Sequence, residues 1–337
     1  MKLKPLFTAV AAAAMLAFAM PAMAEDDPGP AAYAAALNGK RVALVPMAMG
    51  FDLAQGWASY LKREVEGWGG VFETRDPNWS IEAGAQAITD LINAEPHPDV
   101  LVVHAPDLNS YVKLFKKAQE KGIYVILIDN PANFAADAFI GSDWNRLGQL
   151  EAEAAVKACG PNSSKQLGLV QGDQVNASSL YQYAGIMKVL EKYPDFKVVA
   201  KPDSNWDATT ARNVTTTMLQ QNPDICAIID FWDGDASGTA AAIRDAGKEG
   251  KVALVTTGGG EKVDCDKLES GEFTAVVMTE LQRQSSDMNA IIKLLLQSGQ
   301  PPGTIKSYIY TLEQAYTKAD LKPGTCWDVK ALQAAAQ

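Results

Sequence analysis

Five segments of the chain are continuous runs of mainly apolar residues, whereas a strand with one face in water would alternate apolar and polar residues. They read VALV from Val42, VLVV from Val100, VILI from Val125, AIID from Ala227 and VALV from Val252. Such runs are typical of parallel strands that helices cover on both faces. Between them, apolar residues recur at helical spacing. This alternation, repeated over two stretches of similar length, predicts an α/β fold made of two doubly wound parallel-sheet lobes.

The stretch 126–149 connects the two predicted lobes. It reads ILIDNPANFAADAFIGSDWNRLGQ: a strand that ends at Asp129-Asn130, a second short strand, and a polar corner that begins a helix. This corner is Gly141-Ser142-Asp143. We therefore place the N-terminal lobe at residues 41–141 plus 281–304, the C-terminal lobe and tail at residues 142–280 plus 305–337, and a loose N-terminal extension at residues 25–40.

Residues 1–24 have the pattern of a secretory signal peptide. Lys2 and Lys4 give a positive start, an apolar run continues to Met20, and Ala22-Met23-Ala24 forms an A-x-A cleavage site. The run is shorter than the roughly 20 apolar residues that a membrane span needs, and it contains no Cys that could carry a lipid anchor. We expect cleavage after Ala24 and export to the periplasm as a soluble protein.

The chain is acidic. It has 40 Asp and Glu residues against 30 Lys and Arg residues, a net charge of −10, which becomes −12 without residues 1–24. A surface of this charge repels nucleic acid and anionic membranes, so we expect neither as a partner.

The four cysteines predict disulfides, because an even count in an oxidising compartment favours pairing. None stands in C-x-x-C spacing, which leaves zinc and thioredoxin-like sites without support. Cys159 ends a predicted helix and Cys226 begins a predicted strand at the same edge of one lobe, so we favour this pair. Cys265–Cys326 would then tie the tail to the second lobe, and four buried thiols are the alternative.

The residues that follow each predicted strand are candidates for a ligand site, because open α/β sheets bind ligands outside the carboxyl ends of their strands. These residues are rich in aromatic and hydrogen-bonding side chains and poor in cations. Aromatic rings pack on the C–H faces of a small polyhydroxylated molecule, and Asp and Asn oxygens accept its hydroxyl protons. The candidates from this argument are Phe51, His104, Asp129, Asn130, Gln171, Trp206, Trp232 and Asp233.

Several of these candidates also have a purely structural interpretation. The sequence Asp129-Asn130-Pro131 is common turn chemistry, and Trp206 before the capping Asp207 could be a hydrophobic staple. Trp232 and its acidic neighbours could form a solvated loop. Trp57, in contrast, is expected in the core, since it lies on the apolar stripe of a helix.

The sequence contains no enzyme motif that we could identify. Gly258-Gly259-Gly260 lacks a following Lys-Ser/Thr and is therefore not a P-loop. There is no G-x-S-x-G elbow and no G-x-G-x-x-G after the first strand. Two His residues leave few members for a metal cluster or a Ser-His-Asp triad. We expect no catalytic residue, no metal and no cofactor.

The order of elements and several local motifs resemble the type 1 periplasmic sugar-binding proteins of ABC transporters, the ribose- and galactose-binding group. The motifs are RVALVPMAMGFDLAQG, VILIDN, the crossover IGSDWNRLGQ, SNWD, AIIDFWDGDASGTAAAIRDAG and TAVVMTE. The resemblance spans residues 40–310 and implies two lobes joined by a three-segment hinge. The expected crossing segments are Gly141–Asn145, Thr279–Gln282 and a stretch near residues 300–305, with Gly141, Ser142, Asp143 and Thr279 as hinge residues.

The resemblance also implies roles for single residues. Asp129 occupies the position of the Asp in an Asp-Arg pair of the sugar binders, and Trp206 that of an aromatic residue that stacks on the sugar. Trp232 or Asp233 stands where the sugar binders have an Asn-Asp, and Thr279 or Glu280 stands where they have a Gln at the hinge.

Three positions depart from the pattern of the sugar binders. Asn130 stands where they have an Arg, Gly258 stands where they have a ligand-binding Asp, and Tyr181 and Gln182 lie where a second Arg is missing. An Arg donates a bidentate fork that Asn130 and Gln182 replace only in part. The loss of an Arg and an Asp argues against recognition of a pentose or hexose pyranose, and a sugar alcohol, a small modified sugar or another neutral polar molecule is therefore open.

The function implied by the resemblance is that of the solute-binding component of an ABC importer. It would bind a small neutral polyhydroxylated ligand, a sugar or sugar alcohol, between its lobes by hinge closure. Its expected partner is an ABC permease in the inner membrane, and the chain is expected to act as a monomer. A sensory binder for a chemoreceptor or kinase is the alternative, and a periplasmic enzyme is a third. The lacI-type repressors share the fold, but the signal peptide argues against one.

Overall fold

The computed structural model describes residues 27–335, which form two α/β lobes. The predicted signal peptide lies outside the described residues. The strands are β1 (Arg41–Val45), β2 (Val71–Thr74), β3 (Val100–Val103), β4 (Tyr124–Ile128), β5 (Ala138–Ser142), β6 (Gln166–Val170), β7 (Lys197–Ala200), β8 (Ala227–Asp230), β9 (Ala253–Gly258), β10 (Ala275–Met278), β11 (Ser307–Thr311) and β12 (Gln314–Tyr316). The helices are α1 (Pro28–Leu37), α2 (Asp52–Gly67), α3 (Ile81–Asn93), α4 (Val112–Glu120), α5 (Trp144–Cys159), α6 (Ala177–Leu190), α7 (Ala208–Gln221), α8 (Asp233–Asp245), α9 (Lys262–Ser270), α10 (Leu281–Ser298) and α11 (Val329–Ala335).

Each lobe is built on one six-stranded sheet. The strand order is β2-β1-β3-β4-β5-β11 in the first sheet and β7-β6-β8-β9-β10-β12 in the second. The strands run parallel except β12, which pairs antiparallel with β10. The direction of winding reverses beside β1 and beside β6, which is the arrangement of a doubly wound sheet. The predicted fold class is confirmed.

Both faces of each sheet are buried, which explains the continuous apolar runs. In β1, Val42 and Leu44 pack into a cluster with α2 and α10, whereas Ala43 and Val45 pack on the opposite face with α3 and α4. The second sheet has the same two-sided packing. Trp57 is fully buried in the first cluster, as expected, and its Nε1 donates a 3.0 Å hydrogen bond to Gln284 Oε1.

Polar residues at helix starts fix where several of the helices begin. Ser80 Oγ accepts the backbone N–H of Ala83 at 3.1 Å and starts α3. Asp207 accepts the N–H of Thr210 at 2.8 Å and starts α7. Asp143 caps α5 in the same way, by accepting two backbone N–H groups of its first turn. The acceptor satisfies backbone donors that have no partner within the helix.

The chain crosses between the sheets at three places after α1. The first is at Asp143, between β5 and α5, and the second is at Thr279-Glu280, between β10 and α10. Both lie within the predicted segments. The third was expected near residues 300–305 but is at Leu312-Glu313, because β11 pairs with β5 in the first sheet and β12 pairs with β10 in the second.

The assignment of residues 305–337 to the second lobe is therefore wrong in part. Strand β11 extends the first sheet, and the C-terminal α11 returns to the first lobe, where it packs against α2. Only the intervening segment, from β12 to Cys326, lies on the second lobe. The alternating exposure of β11 explains the error, since an edge strand lacks the apolar run that marks a central one.

The N-terminal extension predicted to be loose is a helix over Pro28–Leu37. Asp27 accepts the N–H of Gly29 at 2.9 Å at its start, and Leu37 is fully buried at its end. The helix packs against α10 and is rich in Ala, the strongest helix former. Between residues 27 and 335, no helix is long and apolar enough to cross a bilayer.

Both predicted disulfides are present. Cys159 at the end of α5 is bonded to Cys226 before β8, with 5.4 Å between their Cα atoms. Cys265 in α9 is bonded to Cys326 in the tail, with 6.1 Å between Cα atoms. The second bond holds the tail on the second lobe before α11 returns to the first.

Candidate ligand cleft between the two lobes

A narrow cleft lies between the lobes, at the carboxyl ends of the parallel strands. The first lobe lines it with residues that follow β1 to β4. The second lobe lines it with residues at the ends of β6 to β10 and with Trp144 at the start of α5. About 60 Å³ of the cleft is open to the centre of a water molecule. A larger surface hollow lies beside Cys159 and Cys226, at the opposite ends of the strands, where open α/β sheets do not bind ligands.

Among the aromatic rings that line the cleft, four pack against one another, two from each lobe. Phe51 and Trp79 of the first lobe stack with 5.6 Å between ring centroids and 30° between planes. Trp232 of the second lobe lies 5.9 Å from Phe51 and 5.8 Å from Trp79, and Trp206 packs edge-on against Trp232 at 6.3 Å. Because rings from opposite lobes contact each other, the two lobes are closed on the cleft in this structure.

Trp79 was not among the residues predicted from the sequence. It lies in the turn between β2 and α3 with a left-handed backbone (φ 68°), and its backbone N–H donates to the carbonyl of Met47 at 2.9 Å. That bond ties the turn to the loop after β1 and directs the indole toward Phe51. The turn follows the carboxyl end of β2, so the strand-end argument could have included Trp79.

Three buried polar side chains form the wall that the first lobe provides. His104 Nε2 lies 3.6 Å from Asp129 Oδ2, and Asn130 Nδ2 donates to the carbonyl of Ala105 at 3.0 Å. Asp129 Oδ1, Asn130 Oδ1 and His104 Nδ1 are buried without a hydrogen-bond partner in the described part of the chain. An unpaired buried polar group costs about 1–3 kcal/mol, so a ligand that satisfied these atoms would gain that free energy.

Burial sets the protonation of the His104–Asp129 pair. It lowers the pKa of His104 to about 3, so the imidazole is neutral at neutral pH and its contact with Asp129 is not an ion pair. Burial also raises the pKa of Asp129 to about 7. The cleft therefore presents a neutral imidazole beside a carboxyl group that titrates near neutral pH.

The backbone of Asp129 is held in a left-handed conformation with φ 65°. Trp144, in the first turn of α5, donates from its indole Nε1 to the carbonyl of Asp129 at 2.9 Å. Gly141 lies directly against Asp129, and a Cβ at Gly141 would come within 2.8 Å of the Cα of Asp129. The predicted hinge residue Gly141 is thus needed for a close approach of two strands beside the cleft.

Asn176 connects the two lobes at the rim of the cleft. Its Nδ2 donates to the carbonyl of Pro106 in the first lobe at 2.8 Å, while its Oδ1 caps α6 through the N–H of Ser178, also at 2.8 Å. This bond exists only while the lobes are together, so Asn176 stabilises the closed arrangement. Asn176 was not among the residues predicted from the sequence, because its contact with Pro106 joins positions 70 residues apart in the chain.

Three of the predicted ligand residues do not line the cleft. Tyr181 is 42% exposed on α6, and Glu280 is exposed where α10 begins. Gln182 is fully buried, but its amide donates to both side-chain oxygens of Glu151, at 2.9 and 2.8 Å. Their place in the chain matched the sugar binders, but the helices that carry them direct these side chains elsewhere.

Two further predicted residues lie next to the cleft without lining it. Gln171 is buried after β6, and its side-chain oxygen has no hydrogen-bond partner in the described part of the chain. Asp233 lies behind Trp232, close to Glu261 and Asp264. Thr279, predicted as a hinge residue, does line the cleft.

Comparisons with known proteins agree with this architecture. A solved solute-binding protein of an ABC transporter from Actinobacillus succinogenes, with bound D-allose, superimposes with a TM-score of 0.74 at 20% identity and covers 83% of this chain and 98% of that one. The D-allose-binding periplasmic protein of Escherichia coli is 31% identical over 169 residues, 48% of this chain and 54% of that protein. The D-ribose/D-allose-binding protein of Pseudomonas aeruginosa is 27% identical over 164 residues, 47% of this chain and 50% of that protein.

The matches to these two curated relatives thus span about half of their length. A family profile described as a periplasmic binding protein domain matches residues 42–301, which include both lobes and two of the three crossings. The chain belongs to the periplasmic binding protein family.

Proposed function

We propose that the protein binds a small neutral polyhydroxylated ligand, a sugar or sugar alcohol, in the interlobe cleft and delivers it to an ABC permease. The observation that carries this proposal is the composition of the cleft. Aromatic rings from both lobes line it, with Phe51 and Trp79 opposite Trp206 and Trp232. Beside these rings, Asp129 and Asn130 each present a side-chain oxygen without a hydrogen-bond partner in the described part of the chain.

The free polar atoms of the cleft favour a ligand that donates hydrogen bonds. Asp129 Oδ1 and Asn130 Oδ1 are acceptors, while Asn130 Nδ2 is already used by Ala105. No lysine or arginine from residues 27–335 lines the cleft, so a ligand carboxylate or phosphate would have no counter-charge. Hydroxyl groups supply the donors, and the C–H faces of a sugar or polyol cover the rings.

Ligand binding is expected to favour the closed arrangement, because the ligand would contact both lobes only there. The crossings at Asp143, Thr279-Glu280 and Leu312-Glu313 would act as the hinge. Export through the signal peptide would bring the protein to the periplasm, where the closed form docks on the permease. The D-allose and D-ribose relatives support a sugar of this size.

A thermal-shift screen of sugars and polyols, beginning with D-allose, D-ribose and xylitol, tests the proposal. A ligand should raise the Tm of the wild type and of Tyr181→Ala, whose side chain is exposed outside the cleft. The double variant Asp129→Ala/Trp206→Ala should lose the shift. Stabilisation that survives in the double variant would contradict the site, and a cationic amine as the sole stabilising compound would contradict the ligand class. Chemical change of a bound ligand would indicate an enzyme.

A further inference from the structure

Three carboxylates lie behind the wall that the second lobe gives to the cleft. Asp233 is the first residue of α8, directly after Trp232, and Glu261 and Asp264 lie at the start of α9. Each offers one oxygen such that all three oxygens lie within 4.8 Å of one another. The group lies outside the cleft lining, and the proposed ligand site does not use it.

Two of these carboxylates are deeply buried and incompletely paired. Asp264 is 0% exposed and Glu261 is 5% exposed. Asp264 Oδ1 and Glu261 Oε2 have no hydrogen-bond partner among residues 27–335. No Lys, Arg or His side chain from residues 27–335 forms an ion pair with any of the three carboxylates. The neighbouring Lys262 pairs instead with Asp266, at 2.6 Å. Unpaired buried charge is costly, so the group requires either bound protons or a cation.

We propose that Asp233, Glu261 and Asp264 form a binding site for a hard divalent cation of the size of Ca²⁺. The group offers oxygen donors alone, which calcium and magnesium prefer, whereas zinc and copper sites use nitrogen or sulfur. Two oxygens bound to one Ca²⁺ at about 2.4 Å lie at most about 4.8 Å apart, and the three carboxylates fit within that limit. The cation removes the mutual repulsion of three buried negative charges.

The backbone beside the group leaves space for the carboxylates. A Cβ at Gly258 would lie 2.4 Å from Asp264 Oδ2, and a Cβ at Gly259 would lie 2.6 Å from Glu261 Oε1. Asp264 Oδ2 also accepts the N–H of Gly260 at 3.1 Å. The three glycines therefore let the chain fold closely around the group, and larger residues at the first two would displace the proposed ligands.

The proposed cation site is joined to the ligand cleft and to the tail. Gly258, Gly259 and Trp232 line the cleft, so a cation would hold that wall in place. Cys265, the neighbour of Asp264, is bonded to Cys326, and Trp327 pairs with Glu261 through the backbone. Removal of the cation would thus loosen the loop after β9 and the start of α8 together.

The test uses the full chain, treated with a chelator and then titrated with CaCl₂ or TbCl₃. Ca²⁺ at about 1 mM, within the range of weak protein calcium sites, should raise the Tm by about 2–4 °C. Tb³⁺ should give luminescence excited through tryptophan, because Trp232 and Trp327 flank the site. Both signals should be lost in Asp264→Asn and Glu261→Gln. They should persist in Asp266→Asn, which removes an exposed carboxylate of the same helix.

Absence of both signals in the wild type overturns the proposal. Protons shared among the three carboxyl groups, and not a cation, would then neutralise their charge. Equal loss in Asp266→Asn and Glu261→Gln also overturns it, because the signals would then come from surface carboxylates. A larger shift with MgCl₂ than with CaCl₂ overturns the assignment of ion size. If Asp264→Asn does not fold, Glu261→Gln carries the comparison.

Discussion

The indole of Trp144 and the backbone carbonyl of Asp129 form a 2.9 Å hydrogen bond that joins the two lobes. Trp144 begins α5 just after the first crossing, and Asp129 ends β4 in the first sheet. The bond lies beside the unpaired Asp129 Oδ1, so the crossing and the ligand wall share one residue. A change at the crossing should therefore alter the ligand wall.

Replacement Trp144→Phe tests this connection. The ring volume is largely kept, but the carbonyl of Asp129 loses its donor, which should lower the free energy of unfolding by about 1–3 kcal/mol. Ligand affinity should fall as well, because the left-handed backbone at Asp129 loses its support. Urea denaturation and calorimetric titration measure the two effects.

Trp68→Phe is the matched control, because Trp68 Nε1 has no hydrogen-bond partner in the described part of the chain. Its stability should change less than that of Trp144→Phe. Equal effects of the two substitutions would show that ring packing, and not the hydrogen bond to Asp129, explains the loss.

Ligand affinity should rise with pH around neutrality. Burial raises the pKa of Asp129 to about 7, and an ionised carboxylate accepts hydroxyl protons more strongly than a carboxylic acid. From about pH 6 to about pH 8 the ionised fraction rises about tenfold, and affinity for a neutral ligand should follow it. Titration calorimetry at the two pH values measures the change.

His104 does not contribute to this pH dependence, since its pKa of about 3 keeps it neutral throughout the range. Glu313, the other carboxyl group whose charge acts on Asp129, has a pKa raised to about 7 by burial. Asp129→Asn should abolish the rise in affinity with pH. Glu313→Gln should keep the rise but move it to a lower pH, because the charge of Glu313 raises the pKa of Asp129. A pH-dependent affinity that is unchanged in Asp129→Asn would be evidence against this account.

Much of the fold could be predicted from the sequence because a strand that is buried on both faces has a recognisable sequence pattern. The central strands are apolar runs, and the rule that ligands lie at strand ends led to Phe51, Asp129, Trp206 and Trp232. The disulfide Cys159–Cys226 could be predicted for a similar reason, since the ends of adjacent elements lie at one edge of a lobe, and Cys265–Cys326 followed as the remaining pair. These inferences need only the local pattern and the known geometry of parallel sheets.

The remaining features depend on contacts between distant parts of the chain. Trp79 reaches the cleft because its turn bonds to the carbonyl of Met47 in another loop. The third crossing could not be located because β11 is an edge strand, and pairing with β5 or with β10 is equally compatible with its sequence. The helix α6 directs Tyr181 into solvent and Gln182 onto Glu151, which its spacing alone does not reveal.

Glu151→Gln should make the protein more resistant to high pH. Burial raises the pKa of Glu151 from 4.5 to about 8, so the folded state binds more protons than the unfolded state between these values. The wild type therefore loses stability as the pH rises through this range, by an amount on the order of 4 kcal/mol. A neutral Gln lacks this loss.

Urea denaturation at about pH 5 and about pH 9, on either side of that window, compares the two proteins. The variant should gain relative to the wild type only at the higher pH. Glu153→Gln is the control, because Glu153 lies on the same helix with its side chain 47% exposed, and it should show no such gain. Parallel pH profiles for wild type and Glu151→Gln would show that Glu151 is ionised in the folded protein at little cost.

The two disulfides should differ in their effect on ligand binding. They enclose similar lengths of chain, with sequence separations of 67 and 61 residues, so removal of either should cost a similar free energy of unfolding, about 2–5 kcal/mol. Cys265–Cys326, however, anchors a tail that joins the lobes. Beside it, Trp327 Nε1 donates to the carbonyl of Gly259 at 2.8 Å, and its ring lies against Gly56 of the first lobe.

Cys265→Ser/Cys326→Ser should therefore lower ligand affinity, whereas Cys159→Ser/Cys226→Ser should lower stability alone. The two bonds differ in position. Cys265–Cys326 fixes the segment beside Gly259 in the cleft wall, whereas Cys159–Cys226 lies at the opposite ends of the strands. Trp327→Ala should reproduce the loss of affinity with both disulfides intact. Titration calorimetry at a temperature where all variants remain folded makes the comparison. An equal loss of affinity in both disulfide variants would mean that general destabilisation, and not the tail, sets ligand binding.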